Sequence, residues 1–216
     1  MNNTIDFIKN NKIIAIIRKV ATANIIPLAN ALFAGGIQLM EVTFDQSSKT
    51  MEQDTCESIK ILCEKFGNMI CVGAGTVMNI HQVELAVNAG AKYIISPNTN
   101  VDVIKKTLEM GAVPIPGALT PSEISFAYES GAAFVKVFPA GELGLNYIKS
   151  VIAPLNYIPI LAVGGVDENN MKGLLRAGVI GVGVGSNIVN TKLINAGKFG
   201  ELTSLAKKYT EQIKGA

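Results

Sequence analysis

The chain has 216 residues, of which 49 % are apolar and 17 % are charged, and its formal net charge is +2. This composition supports a large buried core and argues against disorder, and the length suits one α/β barrel and is short for two domains. The basic residues are scattered along the chain, so we expect no binding to nucleic acid or to an anionic membrane surface.

Single residue types exclude further classes of protein. The three cysteines and the one histidine, His81, match no zinc-ligand pattern, so we expect reduced thiols, no metal and no other cofactor. No stretch reaches the ~18 apolar residues of a membrane span. Residues 1–6 lack the features of a signal peptide. We therefore expect a cytoplasmic protein in which residues 1–216 form a single domain.

Short β-branched runs alternate with helical segments about every 25 residues, which is typical of βαβ units around a parallel sheet. After a short helix near residues 4–10, the predicted strands are residues 13–18, 39–44, 69–73, 93–96, 113–116, 134–138, 159–163 and 179–184. The predicted helices that follow them are residues 25–34, 50–66, 80–88, 101–110, 121–130, 145–152, 169–177 and 197–213. Eight such units predict an α/β fold, a single (β/α)₈ TIM barrel whose bottom is closed by the short N-terminal helix. An open doubly wound sheet would show the same alternation.

Lys136 interrupts the apolar strand predicted over residues 134–138. Alternation places Lys136 on the same face as Phe134 and Phe138, although a buried parallel strand is normally apolar throughout. Burial would disfavour the ammonium, lower its pKa and make Lys136 a nucleophilic amine. A lysine that faces solvent from an edge strand fits the same pattern. A closed barrel has no edge strand, which favours the nucleophile.

Two more charged residues lie near the carboxyl ends of predicted strands, the edge at which barrel enzymes carry their active sites. Glu41 follows the apolar Leu39 and Met40, and it is either a general acid/base with a raised pKa or a partly exposed carboxylate at a strand end. Arg18 ends the first strand, and it either binds a substrate carboxylate or makes a contact at the rim.

Glycines cluster after the last two predicted strands. Gly164-Gly165 follows the seventh strand, and Gly183-Val184-Gly185-Ser186 ends the eighth. Such glycines let backbone N–H groups approach an anion, a following helix start adds a favourable dipole, and barrels often bind phosphate between these two loops. Tight strand-to-helix turns would also use glycine, so the pattern leaves both interpretations open. The spacing is not that of a dinucleotide-binding fingerprint.

Taken in order, these motifs resemble the KDPG/KHG aldolases, which act on 2-keto-3-deoxy-6-phosphogluconate and 4-hydroxy-2-oxoglutarate. The resemblance covers nearly the whole chain. It rests on Ile14-Ala15-Ile16-Ile17-Arg18, Gly35-Gly36, Glu41-Val42-Thr43-Phe44, Gly73-Ala74-Gly75-Thr76-Val77, Ile95-Ser96-Pro97, Pro116-Gly117, Lys136-Val137-Phe138-Pro139, Gly164-Gly165-Val166 and Gly183-Val184-Gly185-Ser186.

The resemblance implies a class I aldolase that releases pyruvate and glyceraldehyde 3-phosphate from a phosphorylated 2-keto acid, as a homotrimer of barrels without a metal. It implies Lys136 as the Schiff-base lysine and Glu41 as the proton-transfer residue. Thr76 and Arg18 would hold the carboxylate end of pyruvate, and Phe138 would pack against the pyruvate part. The phosphate would be bound by Gly164, Gly165, Gly185 and Ser186.

Two positions depart from the family's pattern. Some members have an arginine just after the Glu-Val-Thr motif, where this chain has Asp45. Those members tend to lack arginine on the first strand, so we expect Arg18 to replace that charge. Gluconate enzymes typically have threonine before the paired glycines, where it steers C4 stereochemistry. Here Val163 occupies that substrate-binding position, as in 6-phosphogalactonate aldolases.

Four alternatives to a gluconate aldolase therefore stay open. Two of them are aldolases for 2-keto-3-deoxy-6-phosphogalactonate or for 4-hydroxy-2-oxoglutarate. The third, from another class, is a phosphate-binding barrel isomerase or transferase that forms no imine. The fourth is a sugar-phosphate-binding protein without catalysis.

Overall fold

A computed structural model describes residues 1–213, in which parallel strands form a ring. The strands are β1 (Ile13–Ile17), β2 (Leu39–Thr43), β3 (Cys71–Gly75), β4 (Tyr93–Ile95), β5 (Val113–Ile115), β6 (Gly117–Ala118), β7 (Val135–Val137), β8 (Ile160–Val163) and β9 (Gly181–Val184). Their order in the sheet is β5-β4-β3-β2-β1-β9-β8-β7-β6, and every described pair is parallel. The predicted α/β barrel is confirmed.

Pro116, the last residue of the fifth predicted strand, separates β5 from β6, which was not predicted. Proline has no N–H to donate to a strand ladder, so Pro116 can join the ladder only through its carbonyl. β5 pairs with β4 on one side, and β6 pairs with β7 on the other. The Pro116 carbonyl accepts a hydrogen bond of 2.9 Å from the N–H of Lys136. This bond continues the ring across the division.

The helices surround the ring. They are α1 (Asn2–Asn11), α2 (Ile25–Ala34), α3 (Met51–Phe66), α4 (Ile80–Asn88), α5 (Val101–Glu109), α6 (Pro121–Glu129), α7 (Ala140–Ile152), α8 (Met171–Arg176), α9 (Thr191–Asn195) and α10 (Phe199–Ile213). Short 3₁₀ helices cover Thr22–Asn24 and Gly67–Met69.

Several predicted boundaries were wrong by a few residues. The third strand begins at Cys71 rather than at residue 69, because Gly67–Met69 forms a 3₁₀ turn before it. The helix predicted over residues 145–152 begins at Ala140 and kinks at Gly144, whose φ is 78°. The kink is possible because glycine tolerates the positive φ found at Gly144. The last predicted helix is preceded by the separate helix α9.

Two apolar clusters lie on opposite sides of the ring, because alternate residues of each strand point to opposite faces. The outer cluster fills the space between strands and helices. The inner cluster fills the barrel below its carboxyl edge, and α1 closes the bottom with Ile8. Its other buried residues are Ile14, Leu39, Cys71, Tyr93, Ile95, Val113, Ile115, Phe134, Leu161 and Val163.

Candidate active site

Lys136 lies at the centre of β7 with its side chain inside the barrel. The residue is 7 % exposed, and β7 is paired on both sides, with β6 and β8. The interpretation as a solvent-facing lysine on an edge strand is therefore wrong. Burial lowers the pKa of the Lys136 amine, the nearby charge of Glu41 opposes this shift, and Arg18 adds to it. The amine Nζ lies 5.0 Å from the centroid of the Phe138 ring.

Glu41 lies within β2, opposite Ile16 of β1 and Gly73 of β3. It is 2 % exposed, so the interpretation as a partly exposed strand-end carboxylate is also wrong. Burial raises the pKa of Glu41, and the cations Lys136 and Arg18 work against that shift. A buried carboxyl group whose pKa is raised is suited to exchange protons near neutral pH.

The Glu41 carboxyl group occupies space that a side chain on β3 would otherwise fill. A Cβ atom built on Gly75 would lie 1.7 Å from Glu41 Oε1 and 2.5 Å from Cδ. Gly75 thus keeps open the place in which the carboxyl group lies.

Arg18 and Thr76 meet at the rim. The Arg18 Nη2 atom donates a hydrogen bond of 3.4 Å to Thr76 Oγ1, and Thr76 has a left-handed φ of 56°. Asp45 lies at the position where some family members have arginine. It forms an ion pair with Lys19, with 3.3 Å between Lys19 Nζ and Asp45 Oδ2. Hydrogen bonds from Ser47, together with Lys19, lower the pKa of Asp45.

The glycine loops form turns and do not run directly into helices. Gly164 and Gly165 have left-handed φ values of 86° and 66°, and α8 begins only at Met171. The Gly185 carbonyl accepts hydrogen bonds from the backbone N–H groups of residues 188 and 189. The helix predicted over residues 169–177 is present as α8, but neither glycine cluster lies directly at a helix start, because α8 begins at Met171 and α9 at Thr191. An anion bound here would depend on backbone N–H groups and the Ser186 hydroxyl.

A pocket of about 250 Å³ joins these residues at the carboxyl edge of the barrel. Nine of the ten predicted site residues line it: Arg18, Glu41, Lys136, Phe138, Val163, Gly164, Gly165, Gly185 and Ser186. The tenth, Thr76, adjoins the pocket through its hydrogen bond with Arg18. Larger hollows of about 360 and 730 Å³ lie elsewhere, and neither is lined by Lys136 or Glu41.

Sequence reasoning missed several residues of this region. Ile16, Val166 and Asn187 also line the pocket, beside Gly183 of the predicted glycine cluster. Asn187 donates a hydrogen bond of 2.9 Å to the Val166 carbonyl. Its place directly after Ser186 is a signal that would have found it.

One polar group inside the barrel has no described role. The Tyr93 hydroxyl is buried and has no hydrogen-bond partner among residues 1–213. The Tyr93 ring covers Gly73, since a Cβ atom there would lie 2.2 Å from two ring carbons.

Residues 1–213 contain neither a cluster of metal-ligating side chains nor a helix that could span a membrane. No three side chains of His, Cys, Asp or Glu in this part of the chain come together as metal ligands would. None of the helices described there is both long and apolar enough to cross a bilayer. The three cysteines are free.

Comparison with known proteins agrees with this geometry. The family model described as KDPG and KHG aldolase matches residues 4–205, and the chain belongs to this family. A 2-dehydro-3-deoxy-phosphogluconate aldolase of Treponema pallidum is 34 % identical and is matched over 94 % of each chain. A 2-dehydro-3-deoxy-6-phosphogalactonate aldolase of Escherichia coli is 32 % identical over 82 % of this chain and 83 % of the relative.

The same fold is found in solved structures. The KDPG aldolase of Legionella pneumophila, solved with pyruvate captured as a covalent carbinolamine intermediate, superposes with a TM-score of 0.82. It is 28 % identical, and the match covers 91 % of this chain and 93 % of that one.

Proposed function

We propose that this protein is a class I aldolase that cleaves 2-keto-3-deoxy-6-phosphogluconate to pyruvate and glyceraldehyde 3-phosphate. The observation that carries the proposal is the buried amine of Lys136, which lines a pocket with the buried carboxyl group of Glu41 at the carboxyl edge of the barrel. Membership of the KDPG and KHG aldolase family supports the substrate class.

The reaction follows from the chemistry of these two groups. The neutral amine of Lys136 adds to the C2 ketone, and loss of water forms a protonated imine, which withdraws electrons from the C3–C4 bond. Glu41 takes the proton of the C4 hydroxyl, directly or through a water molecule. The C3–C4 bond then breaks, and the aldehyde leaves. The enamine is protonated at C3, and water hydrolyses the imine to free pyruvate and Lys136. A positioned proton transfer contributes ~10²–10⁴ in rate.

The groups at the ends of the pocket would hold the parts of the substrate that do not react. Arg18 and Thr76 would bind the carboxylate, and Phe138 would pack against the pyruvate part. The N–H groups and hydroxyl of the glycine loops, at Gly164, Gly165, Gly185 and Ser186, would bind the phosphate. Binding these distant groups orients the ketone toward the amine.

The first experiment traps the imine. The protein is incubated with pyruvate and borohydride, and peptide mapping locates the reduced adduct. We expect one adduct, on Lys136, and none in Lys136→Met. The matched control is Lys106→Met, because Lys106 is a surface lysine paired with Glu84 at 2.8 Å. A protein that forms no adduct, or forms it on another lysine, contradicts the proposal and favours an isomerase or transferase without an imine.

Val163 favours a second candidate, the 6-phosphogalactonate epimer. Its side chain lines the pocket and packs close to Gly183, where a Cβ atom would lie 2.9 Å from a Val163 methyl group. Valine has no hydroxyl with which to contact a C4 hydroxyl. Turnover on the gluconate and galactonate epimers and on 4-hydroxy-2-oxoglutarate separates the candidates, and Val163→Thr should shift the preference toward the gluconate epimer.

The proposal also covers the compartment, the oligomeric state and the pathway of the enzyme. We propose a cytoplasmic homotrimer that acts in Entner–Doudoroff sugar-acid breakdown, on the strength of the resemblance to the family. Light scattering of the purified protein tests the trimer, and a monomer that is fully active would contradict it.

A further inference from the structure

Thr76 adopts a backbone conformation that its neighbours must hold in place. It follows β3 directly, and its φ of 56° is in the left-handed region, which a β-branched residue rarely adopts. Such a residue persists where surrounding contacts determine its conformation, and it is often found at a functional site. The Thr76 hydroxyl accepts a hydrogen bond from Arg18, and Arg18 lines the pocket. Residues that fix the position of Thr76 therefore also affect the position of the Arg18 side chain.

Two glutamine side chains from different elements hold this turn. Gln46, in the loop after β2, donates a hydrogen bond of 2.8 Å from Nε2 to the Thr76 carbonyl. Gln82, in the first turn of α4, donates one of 3.2 Å from Nε2 to Gln46 Oε1. The Oε1 atom of Gln82 accepts a hydrogen bond of 2.8 Å from the N–H of Met78. We call Gln46 and Gln82 the amide relay.

The donors and acceptors at the two ends determine the direction of the amide relay. The Met78 N–H group can only donate, so Gln82 turns its oxygen toward it. The Thr76 carbonyl can only accept, so Gln46 turns its NH₂ group toward it. The NH₂ group of Gln82 is then left facing the side-chain oxygen of Gln46, so Gln82 donates and Gln46 accepts. Gln82 is 1 % exposed, whereas Gln46 is exposed. The buried Gln82 amide is bonded through both its oxygen and its NH₂ group, so it provides a fixed support for the solvent-facing Gln46 side chain.

We propose that Gln46 and Gln82 are positioning residues, which hold Thr76 and through it Arg18 in the arrangement that binds the substrate carboxylate. This inference rests on the proposed aldolase function. It adds two residues that touch neither the amine nor the carboxyl group of the catalytic pair. Disturbing them should weaken recognition of a carboxylate and leave the chemistry at Lys136 intact.

Gln46→Glu is the sharpest perturbation. Glutamate has nearly the same shape and still accepts from Gln82, but at neutral pH it has no proton to donate to the Thr76 carbonyl. The matched control is Gln38→Glu. Gln38 donates the same kind of amide-to-carbonyl hydrogen bond, 3.1 Å to the Met69 carbonyl, before β2 at the opposite end of the barrel.

The measurement is the ketone concentration that gives half-maximal imine trapping by borohydride. We expect this concentration to rise about tenfold for pyruvate in Gln46→Glu, the effect of losing one well-placed hydrogen bond. It should stay unchanged for methyl pyruvate, which lacks the carboxylate. In turnover, KM should rise and kcat should change little. Gln38→Glu should match the unchanged protein with both ketones, and amide exchange at Met78 should accelerate in Gln82→Ala.

The outcomes separate the two proposals. If the unchanged protein forms an imine and Gln46→Glu traps pyruvate at the same concentration, the positioning role is wrong and the aldolase function stands. Equal weakening for pyruvate and its ester also contradicts the role, because a general structural defect would do that. If the unchanged protein forms no imine, the aldolase function fails, and the role of the amide relay fails with it.

Discussion

Replacing Gly75 by alanine should displace the Glu41 carboxyl group while leaving Glu41 itself unchanged. Gly75 lies in β3 outside the left-handed region, so alanine fits its backbone. The added Cβ atom would lie 1.7 Å from Glu41 Oε1 and 2.7 Å from Cγ. Ordinary contacts of this kind begin near 3.4 Å, so the carboxyl oxygen must retreat by about 1.7 Å. The three nearest atoms belong to the Glu41 side chain and not to the backbone, and we therefore expect the barrel to fold.

The magnitude follows from the displacement. A misplacement of about 1 Å costs ~10² in rate, and a lost acid/base contribution costs ~10²–10⁴. We expect kcat for aldol cleavage to fall within that second range. Imine formation at Lys136 should persist, because the three atoms nearest to the added Cβ all belong to Glu41. Overpacking at this position should lower the free energy of unfolding by about 1–3 kcal/mol.

The assay combines pyruvate release, imine trapping and thermal unfolding. Gly200→Ala is the control, since a Cβ atom on Gly200 meets nothing within 4 Å. A folded Gly75→Ala protein with turnover close to that of the unchanged protein would refute the reasoning. It would show that the observed place of the Glu41 carboxyl group is not needed for proton transfer.

Three further predictions concern stability. The raised pKa of Glu41 means that its contribution to the free energy of unfolding is complete below its ordinary pKa of 4.5 and is lost as pH rises through the folded value. Glu41→Gln should abolish this loss, which is about 1.4 kcal/mol for each pKa unit of displacement. If the free energy of unfolding changed with pH in the same way for both proteins between pH 4 and 8, the prediction would be contradicted. Tyr93→Phe removes a buried hydroxyl without a described partner and should stabilise the fold by about 1 kcal/mol in urea unfolding, whereas destabilisation would reveal a hidden partner. Thr120 caps α6 in a reciprocal capping box, so Thr120→Ala should cost about 1 kcal/mol; an unchanged midpoint would show that the cap contributes little.

The hydrophobic patterns of the sequence predicted the architecture, because the spacing of apolar residues follows from the local shape of a strand or a helix. Period-two and helical repeats follow directly from backbone shape, and the eight strand-helix units were found this way. Pro116 marked no division in advance, because its effect depends on which strands lie on each side of it. The boundary near Met69 was wrong because apolar residues of a turn and of a strand look alike.

The site was predictable where a residue broke the rule for its element. Lys136 in an apolar strand is such a residue, and Glu41 is another. Their burial was not predictable from the pattern, because it depends on the ring closing around them. Asn187 could have been found from its place directly after Ser186, whereas Val166 conforms to the usual pattern of its segment and nothing in the sequence distinguished it.

The sequence by itself determined the alternating elements, the shared strand face of Phe134, Lys136 and Phe138, and the glycine-rich loops, because each depends on neighbours a few positions away. Only the tertiary structure decided that Glu41 lies in the space left by Gly75, and that Gln46 meets Gln82 from 36 positions away. These arrangements join separate strands and helices. Their physical cause is the closure of the barrel, which brings the carboxyl ends of all its strands to one edge.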